Sequence, residues 1–290
     1  MLQWGTGPGR SASTTQADTS VEERSSTKTG SSPPLTAFYH TSKWTLYLGR
    51  QHQSGSNPNE VSWSIQAIII HPNYNNTLYD NDVTLMRLSV SVTLTDYIRP
   101  ICLAANSSTF YNATSCWATG WGNIGKGVSL PAPQTLQEVE IPVMGSRQCT
   151  CVYKPVEDTV ITAQMVCAGT NGKGICQGDS GGPLQCKQGS VWVQAGITSF
   201  GVPCAVGFPE VFARVSEFQT WITQNTAGSS VGFVTFSSTG TDTDSSYVCP
   251  NTTASSAAAT PKASLFSSLL VLLSSLIPSA FLTLTFSGVH

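Results

Sequence analysis

The chain has 290 residues, room for one or two domains with a sizeable core. Lys and Arg number 14 against 16 Asp and Glu, a formal net charge of −2, and charged residues make up only 10%, a balance that gives no sign of a nucleic-acid partner, and none is expected. Nine cysteines point to an oxidising compartment, and their odd number leaves at least one without an internal partner.

In chain order, residues 1–34 are rich in Ser, Thr and Gly, lack apolar periodicity and are expected to be disordered. Residues 44–49, Trp-Thr-Leu-Tyr-Leu-Gly, alternate as a strand with a glycine stop. Residues 64–70 predict a second strand, ended by the turn residues His71, Pro72, Asn73, Tyr74 and Asn75, and residues 82–88 a third. Residues 136–143 read as a strand and 149–167 as a loop with a short helix. Residues 191–200 and 210–215 alternate as core strands, and Val215, Phe218, Trp221 and Ile222 fall at helical spacing, predicting an amphipathic helix over 215–225. No repeat occurs at a solenoid period.

Beyond it, residues 226–264 read as a Ser/Thr-rich stalk and residues 265–290 as a hydrophobic tail, with 265–286 apolar enough to cross a bilayer. No Lys/Arg cluster follows that run, and the small residues Ala254, Ser255, Ser256 and Ala257 stand upstream of it behind a polar spacer. This is the pattern of a glycosylphosphatidylinositol (GPI) attachment signal, with a retained membrane helix as the alternative. Release by a phosphatidylinositol-specific phospholipase separates the two. Sequons at Asn75, Asn106, Asn112 and Asn251 agree with the secretory route. Residues 1–20 carry no apolar core of a signal peptide, so the expectation is a truncated or mis-joined reading frame of an extracellular protein.

The chemistry centres on residues 174–184, Gly-Ile-Cys-Gln-Gly-Asp-Ser-Gly-Gly-Pro-Leu. Gly178, Gly181 and Gly182 free the backbone to turn sharply and admit a substrate. Such a turn can aim the N–H groups of Gly178 and Ser180 at one point, as an oxyanion requires. Ser180 is then the nucleophile and Asp179 a buried carboxylate holding the loop. A short glycine-flanked serine alone fits a surface hairpin equally well; the full Gly-Asp-Ser-Gly-Gly-Pro run does not. At these residues the sequence resembles the trypsin-like (chymotrypsin-fold) serine peptidases, of the membrane-tethered, tryptase-like kind. The resemblance extends over residues 35–225, and Cys-Trp-Ala-Thr-Gly-Trp-Gly at 116–122 is nearly as specific. It implies an all-β fold of two six-stranded antiparallel β-barrels with the active site between them and a C-terminal helix. Residues 98–103 resemble the segment joining the barrels. The first barrel is expected to be incomplete, because the apolar run that builds its first strands is missing, as is the activation site, a basic residue before Ile/Val-Val-Gly-Gly.

The resemblance assigns Asp82, in Tyr-Asp-Asn-Asp-Val-Thr-Leu-Met-Arg-Leu, as the carboxylate that orients a catalytic histidine, and Asp80 as a turn residue. Of the four histidines, His71 belongs to a turn, His52 follows a strand end and His290 ends the chain. Only His40 lies near the expected place. The motif Leu-Thr-Ala-Ala-His-Cys is represented by Leu35, Thr36 and Ala37, and either His40 is one residue out of register or Ala-His-Cys is deleted; the spacing to Trp44 favours deletion. By resemblance Cys116 pairs with Cys186, Cys149 with Cys167 and Cys176 with Cys204, leaving Cys102, Cys151 and Cys249. The specificity pocket is implied at Gly174, Ser199, Gly201 and Glu210. Gly174 stands where trypsin has aspartate, and Glu210 either faces the pocket and favours Lys or Arg, or points to solvent and leaves an apolar pocket.

These observations support a cell-surface serine endopeptidase acting on protein or peptide substrates through an acyl-enzyme. It would be open to protein inhibitors and need no metal or organic cofactor. Lacking a motif histidine, the chain as written is expected to have little activity. The alternatives are a catalytically inactive protein-binding relative and a fragmentary gene model.

Overall fold

The computed structural model describes residues 2–4, 41–156, 159–170, 172–202, 204, 207–226 and 231–250. These belong to the unit of residues 1–250; residues 251–290 lie outside the described residues and contain the expected membrane-anchoring tail. Among the described residues no helix is long and apolar enough to cross a membrane.

Among the described residues the first half of the chain forms a four-stranded sheet of β1 (Leu2–Trp4), β2 (Thr45–Leu48), β3 (Val61–Ile70) and β4 (Thr84–Leu88), in the order β1-β4-β3-β2, which does not close on itself. The β-branched run at 68–70 suits a pleated, half-buried surface, and β3 pairs antiparallel with both β2 and β4. β2 alternates exposed and buried, sending Leu46 and Leu48 inward against Ile65, Met86, Leu88 and Ile98. β1 falls within the segment expected to be disordered; it pairs parallel with β4, Leu2 facing Leu85.

The second half supplies β5 (Cys102–Ala104), β6 (Ser115–Gly120), β7 (Gln137–Met144), α1 (Ser146–Tyr153), β8 (Met165–Ala168), β9 (Pro183–Gln188), β10 (Val191–Phe200), β11 (Glu210–Arg214), α2 (Gln219–Asn225) and β12 (Phe233–Val234). Strands run β11-β8-β7-β6-β9-β10, and β10 returns to pair antiparallel with β11, closing a six-stranded barrel without edges. β5 and β12 extend it from β10. A 3-10 turn, Val215–Phe218, leads into α2, so the predicted helix begins as a tighter coil.

One core fills the barrel with Ile141, Leu184, Val193, Phe212 and Phe218, and it takes in Val83 and Leu85 from the first half. Gly196 makes this packing possible, since a Cβ there would meet Phe212 Cβ at 2.8 Å.

Residues 231–250 depart from the expected stalk. Phe236, 4% exposed, stacks on Phe110 at 4.9 Å, β12 pairs with β5, and Cys249 joins Cys151 in α1. The physical reason is local: Val231, Phe233, Val234 and Phe236 give the Ser/Thr-rich region one strand-sized apolar run, which packs on the barrel with Phe236 buried and the others half-buried.

Candidate active site

Ser180 is exposed on the loop leading into β9. Gly178 and Gly181 take φ of +96° and +80°, left-handed values that bend the loop on both sides of the serine. A Cβ at Gly178 would press on Gly122 Cα at 3.1 Å. The neighbouring amides are engaged. Asp179 N–H donates to the Cys176 carbonyl, Gly181 N–H to Thr198 and Gly182 N–H to Asp179, at 3.2, 2.9 and 2.9 Å. Among the described residues the Gly178 and Ser180 amides meet no acceptor, which leaves two donors beside the hydroxyl.

Asp179 lies under this loop, 8% exposed. Its Oδ1 accepts Gly122 N–H at 2.8 Å and its Oδ2 accepts Cys176 N–H at 3.0 Å. Burial pushes its carboxyl up from the ordinary range, and the two amides pull it back. Gly120 and Gly122 are required here, because a Cβ on either would run into the carboxylate. A cavity of about 240 Å³ opens beside Asp179, bounded by Thr119, Gly120, Ile175 and the Cys176–Cys204 cystine.

Asp82 precedes β4 and is held from the second barrel: its Oδ2 accepts the Ser199 hydroxyl at 2.6 Å. Burial raises its pKa and the Ser199 bond opposes the rise. Ser199 reaches it because β10 slips register between Thr198 and Phe200, a bulge that re-aims the side chain. Thr198 is the residue whose carbonyl holds Gly181, so one bulge connects the serine loop to the aspartate. Ser199 was expected only as a pocket wall, and a period-two pattern carries no signal for the bulge. Asp80 closes its turn with Asn75, as expected, and its Oδ1 also accepts the Thr162 hydroxyl at 2.6 Å, a second tie between the halves.

The described histidines stand elsewhere. His52 Nδ1 lies 3.0 Å from Thr135 Oγ1. His71 packs on Phe218 and Trp221 at 5.4 and 4.9 Å, and burial lowers its pKa against the raising pull of Asp80. His40 and His290 lie outside the described residues. Among the described residues Asp82 is joined to Ser199, and the neighbouring Thr198 carbonyl to Gly181 of the serine loop, while the described imidazoles have other partners.

Glu210, at the head of β11, is 3% exposed, which rules out the solvent-facing alternative. Its carboxylate lies against Gly201, where a Cβ would displace it. Tyr153 backs the same region: its hydroxyl donates to the Pro209 carbonyl at 2.6 Å, and burial followed by the Glu210 charge pushes its pKa up to about 12. Its ring lies 6.2 Å from that of Phe200 and 5.5 Å from that of Phe208. Gly174 is half-buried nearby in sequence to the serine loop.

Cystines join Cys116 to Cys186, Cys149 to Cys167 and Cys176 to Cys204. Cys151 and Cys249, left without partners in the sequence reading, pair with each other, and Cys102 is free. Asn75 and Asn106 are exposed; Asn112 is half-buried with Oδ1 accepting Gly145 N–H at 3.3 Å; Asn251 lies outside the described residues. Among the described residues no group of His, Cys, Asp and Glu could hold a metal ion.

Residues 36–222 match the family described as Trypsin. The chain is similar to "Serine protease 28" of Mus musculus, 38% identical over 167 residues that cover 56% of this chain and 61% of that protein. It is also similar to "Tryptase" of Mus musculus, 39% identical over 165 residues, 55% of this chain and 60% of that protein. The matched part thus spans about three fifths of these relatives. With the family match covering most of the chain, and Ser180 on a barrel loop while the barrel's Ser199 holds Asp82, the chain belongs to the trypsin family of serine proteases.

Proposed function

We propose that the site performs acyl transfer on peptide bonds, making the protein a serine endopeptidase of protein and peptide substrates. Ser180 attacks the scissile carbonyl and the Gly178 and Ser180 amides receive the oxyanion. Asp82, fixed by Ser199, orients a histidine and stabilises its charge, and His40 is the residue available for that part. The observation that carries this reading is the Ser180 loop itself, with positive φ on both sides, unengaged amides and a buried carboxylate beneath. Glu210 supports a preference for Lys or Arg at the cleaved residue: it places a buried carboxylate beside Gly201 where Gly174 supplies none. Four cystines and the sequons support an extracellular site of action, and the tail at 265–290 supports tethering by a GPI anchor or a helix.

One observation favours a second reading, a binding protein without catalysis: the described histidines are engaged away from Ser180. A fluorophosphonate probe decides between them. Labelling of Ser180 that is lost in both Ser180→Ala and His40→Ala is expected of the peptidase. A folded chain that stays unlabelled is a binding protein. The pocket is tested apart from catalysis with p-aminobenzamidine, whose fluorescence should rise with the wild type and fall at least tenfold in apparent affinity with Glu210→Gln. Equal binding by the two would remove Glu210 from the pocket.

A further inference from the structure

We propose that residues 231–250 are a covalent strap of the second barrel, which gives everything beyond Cys249 a second attachment independent of the main chain between Thr226 and Val231. Three sets of contacts carry this. The first is main-chain pairing along β5 and its continuation. Leu103, Ala105 and Thr109 N–H groups donate to the carbonyls of Gly232, Val234 and Phe236 at 2.9, 2.8 and 2.8 Å. Phe236 is buried at the same place against Phe110.

The second is at the start of α1. Asp244 accepts the Arg147 and Gln148 N–H groups at 2.8 and 3.0 Å, two of the first-turn amides that a helix cannot satisfy internally. Gly145 is shaped for it, since a Cβ there would collide with the Asp244 carboxylate. The half-buried Arg214 reaches Ser146 Oγ with its guanidinium at 3.2 Å; partial burial lowers the Arg214 pKa, and the charges of Glu217 and Asp244 raise it. The third is the Cys151–Cys249 cystine, which closes a loop of 98 residues around these contacts. A spacer would need none of this. The cystine thus links Cys249 to α1 by a covalent path that bypasses residues 227–230.

A recognition sequence for a site-specific protease, placed between Thr226 and Val231 in the full chain, tests the proposal. After cutting, a non-reducing denaturing gel should show one species of undiminished mass. Dithiothreitol should split it into two, each cystine taking two electrons and two protons from the dithiol, which leaves as its cyclic disulfide. Separation without reductant overturns the strap. Peptide mapping of the uncut, unaltered chain gives a second reading. A peptide pair joined through Cys151 and Cys249 is expected, and alkylation of either cysteine in the unreduced folded protein overturns the proposal.

Discussion

Asp82 and Asp179 are both buried carboxylates, but their surroundings ask different things of them. Asp179 is held by two backbone amides, those of Gly122 and Cys176. A hydrogen bond to a charged group contributes roughly 1.5–3 kcal/mol, and the removal of a desolvated carboxylate returns part of that. Asp179→Ala should therefore cost about 2–3 kcal/mol in urea unfolding, with Ser180 labelling lost because the loop no longer holds its turn. Asp82 accepts the Ser199 hydroxyl, a part that an asparagine Oδ1 can also fill. Its raised pKa means that the folded state keeps a proton to higher pH than the unfolded chain does. Wild-type stability then falls as pH rises from the ordinary carboxylate value through the raised one. Asp82→Asn has no such titration. Its stability relative to wild type should increase between about pH 3 and pH 7, and a difference that is flat or decreasing across urea titrations at those two values would contradict the burial assigned here.

The strap shows how much a local pattern conveys and where it stops. Its non-covalent part predicts a separable outcome: Cys249→Ser, cut between Thr226 and Val231, should remain one species in native size-exclusion chromatography. Adding Phe236→Ala, a substitution that costs roughly 3–5 kcal/mol at a buried aromatic, should release the C-terminal piece. The sequence reading took this region for a stalk because Ser and Thr dominate its composition, yet Val231, Phe233, Val234 and Phe236 stood in it as a strand-sized apolar run. The alternating segments were legible for the reason that alternation is a property of pairing: 44–49 became β2, and 64–70 became the inner part of β3, which extends back to Val61 because β2 offers a partner there. β9 was not read, since its Pro183–Gln185 stretch is buried without alternation. Within the site, the residues fixed by motif, Ser180, Gly178 and Asp82, could be named from the chain. The bond from Ser199 and the tie from Thr162 to Asp80 could not, because each joins segments far apart in sequence through a bulge or a turn.

The open first sheet would be a weak domain by itself, with one small apolar cluster and unclosed edges. It is stitched to the barrel instead. Gln53 and Ser54 N–H groups donate to the Gln134 and Pro133 carbonyls, Leu136 N–H donates to Gln51, and Trp121 Nε1–H donates to the same Gln51 carbonyl at 3.1 Å. Asp82 and Asp80 take hydroxyls from Ser199 and Thr162, His71 lies against α2, and Val83 and Leu85 are buried in the barrel's own core. A sheet with only a small cluster of its own, and with Val83 and Leu85 given over to its neighbour's core, is expected to unfold together with that neighbour. Residues 41–226 should accordingly melt in one transition, with tryptophan fluorescence and far-ultraviolet circular dichroism giving the same midpoint. Leu85→Ala, at a side chain 4% exposed, should cost about 2–5 kcal/mol of stability and lower that common midpoint without splitting it. Two resolved transitions, with only the earlier one moved by Leu85→Ala, would mean that the first sheet folds on its own and that the shared core and the six ties across it are not what holds Asp82 beside Ser199.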